Sequence, residues 1–330
     1  MKLNLRRILV VMLVGVCVYF VAALYSGLGK IQASLASYRV ETFVFACALA
    51  FGNYCLRFLK WEFYLARLGI TGVKKWDSFL TFFSGFVLTV TPGKVGEVFK
   101  SYILSETHGV PMTKTAPIVV AERATDVIGI VVLIVIGSLG FSGGLIWAGI
   151  GAALVLALLV VVANRRLSLG MIRLVGQLPG RFGQMQGKLE TAYESLAVML
   201  EPKNLILPSI ISCVAWLFEC LSLWVILGGF GEKTSIPLCT FFYATSTLVG
   251  AIIPSPGGLG VTESSLLGQM TQLGHVEAGN ATAAMILVRF ATLWFAVLNG
   301  FVALSILKRR NPGLLASKAD APAALPTSGA

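Results

Sequence analysis

Nine ionisable side chains lie inside stretches of the chain that are apolar enough to enter a lipid bilayer. They are Lys94, Glu97, Lys100, Glu122, Arg123, Asp126, Glu219, Glu263 and Arg289. A charge at bilayer depth is costly, so such residues indicate a binding site or a transport pathway by default. The competing interpretation is mutual neutralisation, since Arg123 and Asp126 lie one helical turn apart and form a ready local pair. Arg289 has no acidic residue within four positions, so its partner is expected to be a distant carboxylate or a bound anion.

Two Pro-Gly clusters interrupt apolar stretches in the same way. Residues 91–97 read TPGKVGE, residues 255–260 read SPGGLG, and a glutamate follows each proline, Glu97 and Glu263. Proline removes a backbone donor and glycine permits non-helical dihedral angles, so each cluster is expected to break a helix inside the membrane. A helix that restarts after such a break presents unpaired amides and a positive dipole end, which suit phosphate or carboxylate. The breaks contribute eight candidate substrate-binding residues: Pro92, Gly93, Lys94, Gly96, Pro256, Gly257, Gly258 and Gly260.

Side chains close to the breaks complete the candidate binding site: Glu97, Glu122, Arg123, Asp126, Glu263 and Arg289. The two arginines suit an anionic ligand because a guanidinium binds two oxygens at once. The sequence contains no nucleophile–base pair, metal-ligand spacing or nucleotide-binding phosphate loop, and its six cysteines form no CxxC pair or Cys/His cluster. We therefore expect no enzymatic activity, no metal and no cofactor.

The composition places these residues in a membrane protein. Of 330 residues, 56% are hydrophobic and 12% are charged, and the mean hydropathy is +0.84. A soluble enzyme, a nucleic-acid binder and a disordered scaffold are excluded, because an average soluble domain is about 25% charged. The net charge of +11 has a simpler cause than nucleic-acid binding. Lys and Arg are retained in the cytoplasmic flanks of membrane helices.

Six apolar stretches are long enough to cross a bilayer as helices: 8–26, 40–60, 114–139, 143–163, 204–228 and 278–307. Residues 76–91 and 236–253 are shorter, and each ends at a Pro-Gly cluster that a second short helical segment follows, 94–108 or 261–274. Two short arms joined by a break predict a re-entrant hairpin. A membrane tolerates such a backbone only where it is buried in protein or lines a wet cavity.

The basic residues predict the orientation. With the N-terminus inside, 19 of the 26 Lys and Arg residues are cytoplasmic, three lie outside and four lie in the spans. Residues 76–108 then enter and leave from the cytoplasm, whereas residues 236–274 enter and leave from the opposite face. Arg57, Lys60 and Trp61 are expected at the cytoplasmic interface as anchors, with head-group contact as the alternative. We expect a multi-pass protein of the plasma (inner) membrane with both termini cytoplasmic.

The two halves share one order of features. Residues 40–139 and 204–307 each contain a full helix, a broken hairpin and a second full helix, and that last helix carries Arg123 or Arg289. Because the hairpins enter from opposite faces, the pattern predicts an inverted-topology repeat, as in many secondary transporters.

The expected fold is therefore all-α, a polytopic integral membrane protein with six full transmembrane helices and two re-entrant helical hairpins. A single membrane domain is expected over 1–311. Within it, the cytoplasmic loop 164–203 has apolar residues at helical spacing and predicts an amphipathic helix. Residues 312–330 are rich in Ala, Pro and Ser and predict a disordered tail.

The motifs at the breaks resemble the lysylphosphatidylglycerol synthase transmembrane-domain family, a group of flippase-like membrane proteins. The residues that carry the resemblance are TPGKVGEVFKSYIL at 91–104, ERATDVIG at 122–129 and PSPGGLGVTE at 254–263, with Arg289 beyond. The resemblance implies an inner-membrane protein that moves or hosts lipids, such as aminoacylated phosphatidylglycerol, polyprenyl-linked glycolipids or hopanoids. It assigns every candidate residue except Pro92, Gly93 and Arg289 to a lipid site. Synthase activity is not expected, because this chain ends about 23 residues after its last span and full synthases carry a large soluble domain there.

The expected function is flippase-like movement of a polar or anionic lipid, whose head group crosses through a partly cationic cavity between the two breaks. One alternative is a proton-coupled transporter of a small soluble anion, which the carboxylates in the spans favour. Another is a non-transporting accessory subunit that delivers lipid to a lipid-biosynthetic enzyme. The expected partners are thus membrane lipid and, in the last case, such an enzyme, but no nucleic acid; the oligomeric state is left open.

Overall fold

The computed structural model describes residues 28–90, 97–141, 194–253 and 255–314, together with positions 146, 149–151 and 153. Over these ranges the chain is helical, with turns between helices and no strand. The predicted span 8–26, most of span 143–163, the first Pro-Gly break at 91–96 and the tail from 315 lie outside the described residues.

The α-helices follow the order that the sequence predicts. They are α1 (Leu28–Ala36), α2 (Val40–Arg67), α3 (Lys75–Ser84), α4 (Phe99–His108), α5 (Met112–Thr115), α6 (Pro117–Ser138), α7 (Pro202–Gly229), α8 (Ile236–Ile252), α9 (Val261–Gln272), α10 (Ala278–Arg289) and α11 (Phe295–Arg310). A 3-10 helix, Gly85–Leu88, extends α3, and another, Pro256–Gly258, lies between α8 and α9. A π-helix, Phe290–Trp294, joins α10 to α11 without a break in the helical run.

Helix ends match the local chemistry of the sequence. Helices α6 and α7 begin with Pro117 and Pro202, where the missing amide hydrogen costs nothing. Helix α2 has Glu41 in its first turn and Arg67 in its last, as the helix dipole favours. Helix α11 ends on three basic residues, Lys308–Arg310, which suit both the dipole and a cytoplasmic boundary.

Three described helical runs are long and apolar enough to cross a membrane: Val40–Arg67, Lys203–Gly229 and Ala278–Arg310. Helix α6 has 22 residues, but its first half carries Glu122, Arg123 and Asp126. Large apolar side chains such as Val40, Ile206 and Leu298 are exposed on these runs, as expected of surfaces that face lipid. The prediction of an all-helical, multi-pass membrane protein is confirmed.

Helix α2 corrects one prediction. It continues to Arg67 instead of ending near residue 60, so Arg57, Lys60 and Trp61 lie within the helix. Lys60 and Trp61 are fully buried, and the Trp61 indole donates a hydrogen bond to Ser78. The interpretation of Lys60 and Trp61 as interfacial anchors is therefore wrong.

Helices of the two predicted repeat units, residues 40–139 and 204–307, pack against each other. Helix α7 packs against α2, α6 and α8, and one apolar core fills the space among α6 to α10. A second apolar core lies between the first hairpin, which consists of α3 and α4, and the helices α2 and α11. The backbone of α11 approaches the 3-10 helix Gly85–Leu88 closely at Gly300. A Cβ atom at this position would lie 2.6 Å from the Val87 nitrogen.

The end of the loop 164–203 is also part of this packing. Residues 194–199 are helical, Met199 is fully buried, and Leu196 and Leu200 pack on the second core. The remainder of the predicted amphipathic helix lies outside the described residues.

Candidate functional site: charged residues around two cavities

Helix α6 carries the centre of a buried ion-pair network. The Lys60 ammonium contacts Asp126 Oδ1 at 2.6 Å and donates to the Ser212 hydroxyl at 2.7 Å. Ser212 in turn donates to the same Asp126 oxygen at 2.9 Å. Lys60 is 0% exposed, so this contact ties α2, α6 and α7 together across the interior.

Lys100 and Glu122 form the next pair of the network. Lys100 Nζ lies 2.5 Å from Glu122 Oε2, and both side chains are almost completely buried. The ammonium also faces the rings of Trp61 and Phe82, at 4.7 and 4.9 Å from their centroids. Aromatic faces stabilise a desolvated cation, so Lys100 is held on one side by a carboxylate and on the other by rings.

Glu97 lies between two arginines. Arg123 Nη2 is 3.3 Å from Glu97 Oε2 and 2.8 Å from Asp126 Oδ2, which confirms the predicted local pair on α6. Arg57 Nη2 approaches the other oxygen of Glu97 at 3.7 Å, and the Arg57 Cζ atom stands 5.6 Å from the Phe86 ring centroid.

In the second unit, Arg289 binds both the Pro-Gly break at 255–260 and the helix that follows it. Its Nε donates to Glu263 Oε1 at 2.6 Å, and its Nη2 donates to the Gly257 carbonyl at 2.9 Å. Glu263 Oε2 accepts a hydrogen bond from the Gly260 amide at 2.7 Å. The distant partner that the sequence requires for Arg289 is therefore Glu263, together with the backbone of the break.

The two units use the same pairing. Arg123 lies 26 residues after Glu97, and Arg289 lies 26 residues after Glu263. In each unit an arginine on the last helix contacts a glutamate at the restart of the broken hairpin. This spacing is the structural counterpart of the repeated sequence features.

The second break depends on glycine. Gly257, Gly258 and Gly260 have φ angles of 61°, 73° and 85°, which other residues adopt only with strain. A Cβ atom on Gly257 would lie 3.3 Å from the Val90 Cα atom, at the last described position before the first break. The second break therefore contacts the end of the first hairpin's incoming arm.

A cavity of about 80 Å³ lies between the units. The first unit contributes Arg57 and Glu97 to its wall, and the second contributes Glu219, Gly257 and Arg289. A cavity with residues of both units is thus present, while the first break, which the expected cavity also includes, lies outside the described residues. Its cations, however, contact carboxylates, so the expectation of a partly cationic cavity is replaced by a wall of both charges.

A larger cavity of about 290 Å³ adjoins the first. It contains Arg123 and Asp126 at one side and is otherwise mainly apolar, with Val127, Ile130 and Leu248 in its wall. Both cavities share a set of lining residues: Trp216, Thr247, Gly250, Ala251, Gly257 and Gly258.

The π-helix completes the wall of the smaller cavity. The Tyr54 hydroxyl donates to the Thr292 carbonyl at 2.6 Å, and the Tyr243 hydroxyl donates to Glu219 at 2.8 Å. Tyr243 also lies 3.0 Å from the Thr292 hydroxyl. A π-helix shifts the backbone register and is frequent at functional sites, and here it directs Thr292 towards two tyrosines.

Of the sequence-predicted site residues, Glu97, Gly257, Gly258 and Arg289 line the smaller cavity, whereas Arg123 and Asp126 line the larger one. Glu263 and Gly260 form a hydrogen bond with each other at the second break. Glu122 pairs with Lys100 and lines neither cavity. Pro92, Gly93, Lys94 and Gly96 lie outside the described residues, and Pro256 is described only as the start of the 3-10 helix.

Sequence reasoning missed Arg57, Tyr54, Tyr243 and Trp216 as cavity residues. A signal for Arg57 was present, since an arginine followed by a further ten mostly apolar residues fits a continuing helix better than a helix end. No group of three or more His, Cys, Asp or Glu residues that suits a metal ion occurs in the described part of the chain.

Comparison with known proteins identifies the family of the chain. The family model for the lysylphosphatidylglycerol synthase TM region matches residues 7–300. A UPF0104 membrane protein of Methanocaldococcus jannaschii is 20% identical over 329 residues, which cover 94% of this chain and 97% of the relative. A UPF0104 membrane protein of Methanothermobacter thermautotrophicus is 24% identical over 321 residues, with 89% and 94% covered. The chain therefore belongs to the lysylphosphatidylglycerol synthase transmembrane-region family.

Proposed function

We propose that the protein moves a polar or anionic lipid across the plasma membrane, with the head group in the smaller cavity. The observation that carries this proposal is the composition of the cavity wall, which includes Arg57 and Glu97 from one unit and Glu219 and Arg289 from the other. When a polar head group enters, the charged side chains of the wall would replace contacts with each other by contacts with the head group, so the net electrostatic cost would be small. No bond is broken in this process, so the proposed role is transport and not catalysis.

The adjoining larger cavity supports a lipid over a small solute. Its apolar wall includes Ile252 and Ile253, whose side chains are exposed. Acyl chains would remain in such apolar surroundings while the head group occupies the polar cavity.

The proposed architecture is an inverted-topology repeat with six transmembrane helices, two re-entrant hairpins and both termini in the cytoplasm. The repeated helix, hairpin and helix order and the equal 26-residue spacing of the arginine–glutamate pairs support it. Hairpins that enter from opposite faces would bring both breaks to the midplane of the membrane, where such transporters bind their substrates.

Reconstitution tests the proposal. The protein is placed in vesicles of phosphatidylethanolamine and phosphatidylglycerol with a trace of fluorescent phosphatidylglycerol, and dithionite quenching reports lipid that has reached the outer leaflet. We expect faster exchange than in protein-free vesicles. An unchanged rate, repeated with aminoacylated, polyprenyl-linked and hopanoid lipids, would contradict a flippase. Copurification of a lipid-biosynthetic enzyme would then favour the accessory role.

Arg289→Lys provides a sharper test in the same assay. Lysine keeps the charge but lacks the two separate nitrogens, Nε and Nη2, with which Arg289 binds Glu263 and the Gly257 carbonyl, so we expect one of these two hydrogen bonds to be lost. We expect transport to fall about tenfold, which corresponds to the loss of one hydrogen bond of a charged group. Arg310→Lys is the matched control, because Arg310 pairs with Asp77 at the surface, and transport should be unchanged. Equal rates for both variants would remove Arg289 from the mechanism.

A proton-coupled transporter of a soluble anion is the second candidate. Two carboxylates, Glu97 and Glu219, lie in the wall of the smaller cavity and could carry protons. Proton flux that depends on a soluble anion, and that is insensitive to the lipid composition of the vesicles, would favour this function.

A further inference from the structure

The two arginine–glutamate pairs have different hydrogen bonding. Arg289 uses Nε and Nη2 on Glu263 and the Gly257 carbonyl, at 2.6 and 2.9 Å. Arg123 instead has buried Nε and Nη2 atoms that form no hydrogen bond within the described residues, although Nη2 contacts two carboxylates as ion pairs. The donors of Arg289 are therefore committed to the break, whereas Arg123 retains donor capacity towards a ligand.

A second arginine is present in the first unit alone. Glu263 and Arg289 lie 166 residues after Glu97 and Arg123, and the same shift takes Arg57 to Leu223, a fully buried core residue. Arg57 lies in the wall of the smaller cavity, and the Phe86 ring supports its guanidinium. Two guanidinium groups thus contact the glutamate of the first unit, Glu97, whereas one contacts the glutamate of the second unit, Glu263.

Glu97 lies at long ion-pair distances from these two arginines. Its separations from Arg123 and Arg57 are 3.3 and 3.7 Å, against 2.5 to 2.6 Å for the pairs of Lys100, Lys60 and Arg289. A phosphate diester, like a carboxylate, carries one negative charge on two oxygens and accepts paired bonds from guanidinium groups. It would therefore compete well with Glu97 for Arg57 and Arg123.

We propose that Arg57 and Arg123 form the phosphate-binding site of the transporter, and that Glu97 occupies this site until a lipid phosphate diester displaces it. This proposal rests on the proposed lipid transport and specifies its head-group contact. Arg57 and Glu97 line the smaller cavity and Arg123 lines the larger one, so the bound phosphate lies where the two cavities meet. A lipid in this position has its polar group at the smaller cavity and its acyl chains along Val127 and Ile130 of the larger one.

Binding by the purified protein in non-ionic detergent tests the site. The probes are dioctanoyl phosphatidylglycerol, dioctanoylglycerol as the phosphate-free lipid, and glycerol phosphate as the tail-free phosphate. We expect Glu97→Gln to lower the Kd for dioctanoyl phosphatidylglycerol about tenfold, because the competing negative charge is removed while the side-chain volume is kept. Arg57→Gln and Arg123→Gln should each raise this Kd about tenfold or more.

Several controls keep the test decisive. Glu263→Gln removes the equivalent charge from the second unit and should not tighten binding, while Arg310→Gln should leave the Kd unchanged. Where a glutamine variant of an arginine does not fold, Arg57→Lys and Arg123→Lys keep the charge and lose the paired contact, and they should still weaken binding. Thermal unfolding curves of each variant establish which of them are folded.

The outcomes separate this site from the proposed function. Unchanged or weaker binding by Glu97→Gln, or equal Kd values for the lipids with and without phosphate, would overturn the site, even if the parent protein moves lipid in vesicles. Tighter binding by Glu97→Gln, with no transport by the parent, would support the site and contradict the flippase. If glycerol phosphate binds as well as the phospholipid and responds to the same variants, the site takes soluble phosphate.

Discussion

At the residue scale, the intramembrane charges fall into two groups. Lys60 is completely buried and Lys100 almost completely, and each contacts one carboxylate at 2.5 to 2.6 Å, so these pairs hold helices together. Arg57, Arg123 and Arg289 instead line the two cavities. The three arginines also contact carboxylates, so mutual neutralisation applies to both groups, whereas the proposed ligand binding involves only the arginines.

The Lys100–Glu122 pair offers a test of the first group. Lys100→Met leaves a buried carboxylate without its cation, and we expect a loss of about 3–5 kcal/mol in the free energy of unfolding. The double variant Lys100→Met with Glu122→Gln removes both charges and should recover most of this loss. Denaturation in detergent, followed by circular dichroism, measures both effects. Equal losses in the single and double variants would show that the pair is not coupled.

At the element scale, the second break is an ordered turn that specific hydrogen bonds stabilise. Positive φ angles at Gly257, Gly258 and Gly260 turn the chain between α8 and α9, and Glu263 binds the Gly260 amide where α9 begins. Arg289 then ties α10 to the Gly257 carbonyl. Movement of this break would therefore be coupled to movement of α10 and of the π-helix that follows it.

Substitution of Gly257 tests this coupling. Gly257→Ala places a methyl group near Val90 and adds about 1–2 kcal/mol of left-handed backbone strain, so we expect lipid transport to be lost. Gly109→Ala is a matched control, because Gly109 has a φ angle of 66° and no atom within 4 Å of the place that the new methyl group would take. It carries the same strain without the contact and should retain transport. Retention of transport by both variants would exclude the break from the pathway.

At the scale of the whole molecule, the two units form one body. The first hairpin packs on α11 of the second unit at Gly300, and the second break contacts Val90 of the first unit. Each unit thus covers the broken hairpin of the other. Irregular backbone at membrane depth requires protein cover of this kind.

Membrane topology provides the test at this scale. The native cysteines are first replaced, and single cysteines are then placed at the exposed positions Gly72, Glu106, Lys233 and Glu277. With re-entrant hairpins, an impermeant maleimide should label Gly72→Cys and Glu106→Cys only from the cytoplasm, and Lys233→Cys and Glu277→Cys only from outside. Labelling of Gly72→Cys and Glu106→Cys from opposite faces would show that the first hairpin crosses the membrane.

The sequence by itself determined the membrane class, most helix positions and the location of the second break. These features follow from local properties, namely runs of apolar residues and the backbone limits of proline and glycine. It also identified most of the charged residues of the site, because a charge inside an apolar run is visible without a structure. The predicted end of α2 near residue 60 was wrong, because the buried partners that stabilise Lys60 inside the helix bundle are distant in the sequence.

Only the tertiary structure decided which charges that are distant in the sequence meet. Lys60 pairs with Asp126 across 66 positions and Arg289 with Glu263 across 26, and local spacing does not define either contact. Helix packing brings such groups together, and the cost of an unpaired buried charge makes their pairing decisive. Packing also set Arg57 and Arg123 around Glu97, a juxtaposition that depends on α2, α6 and the residues just before α4 lying close together.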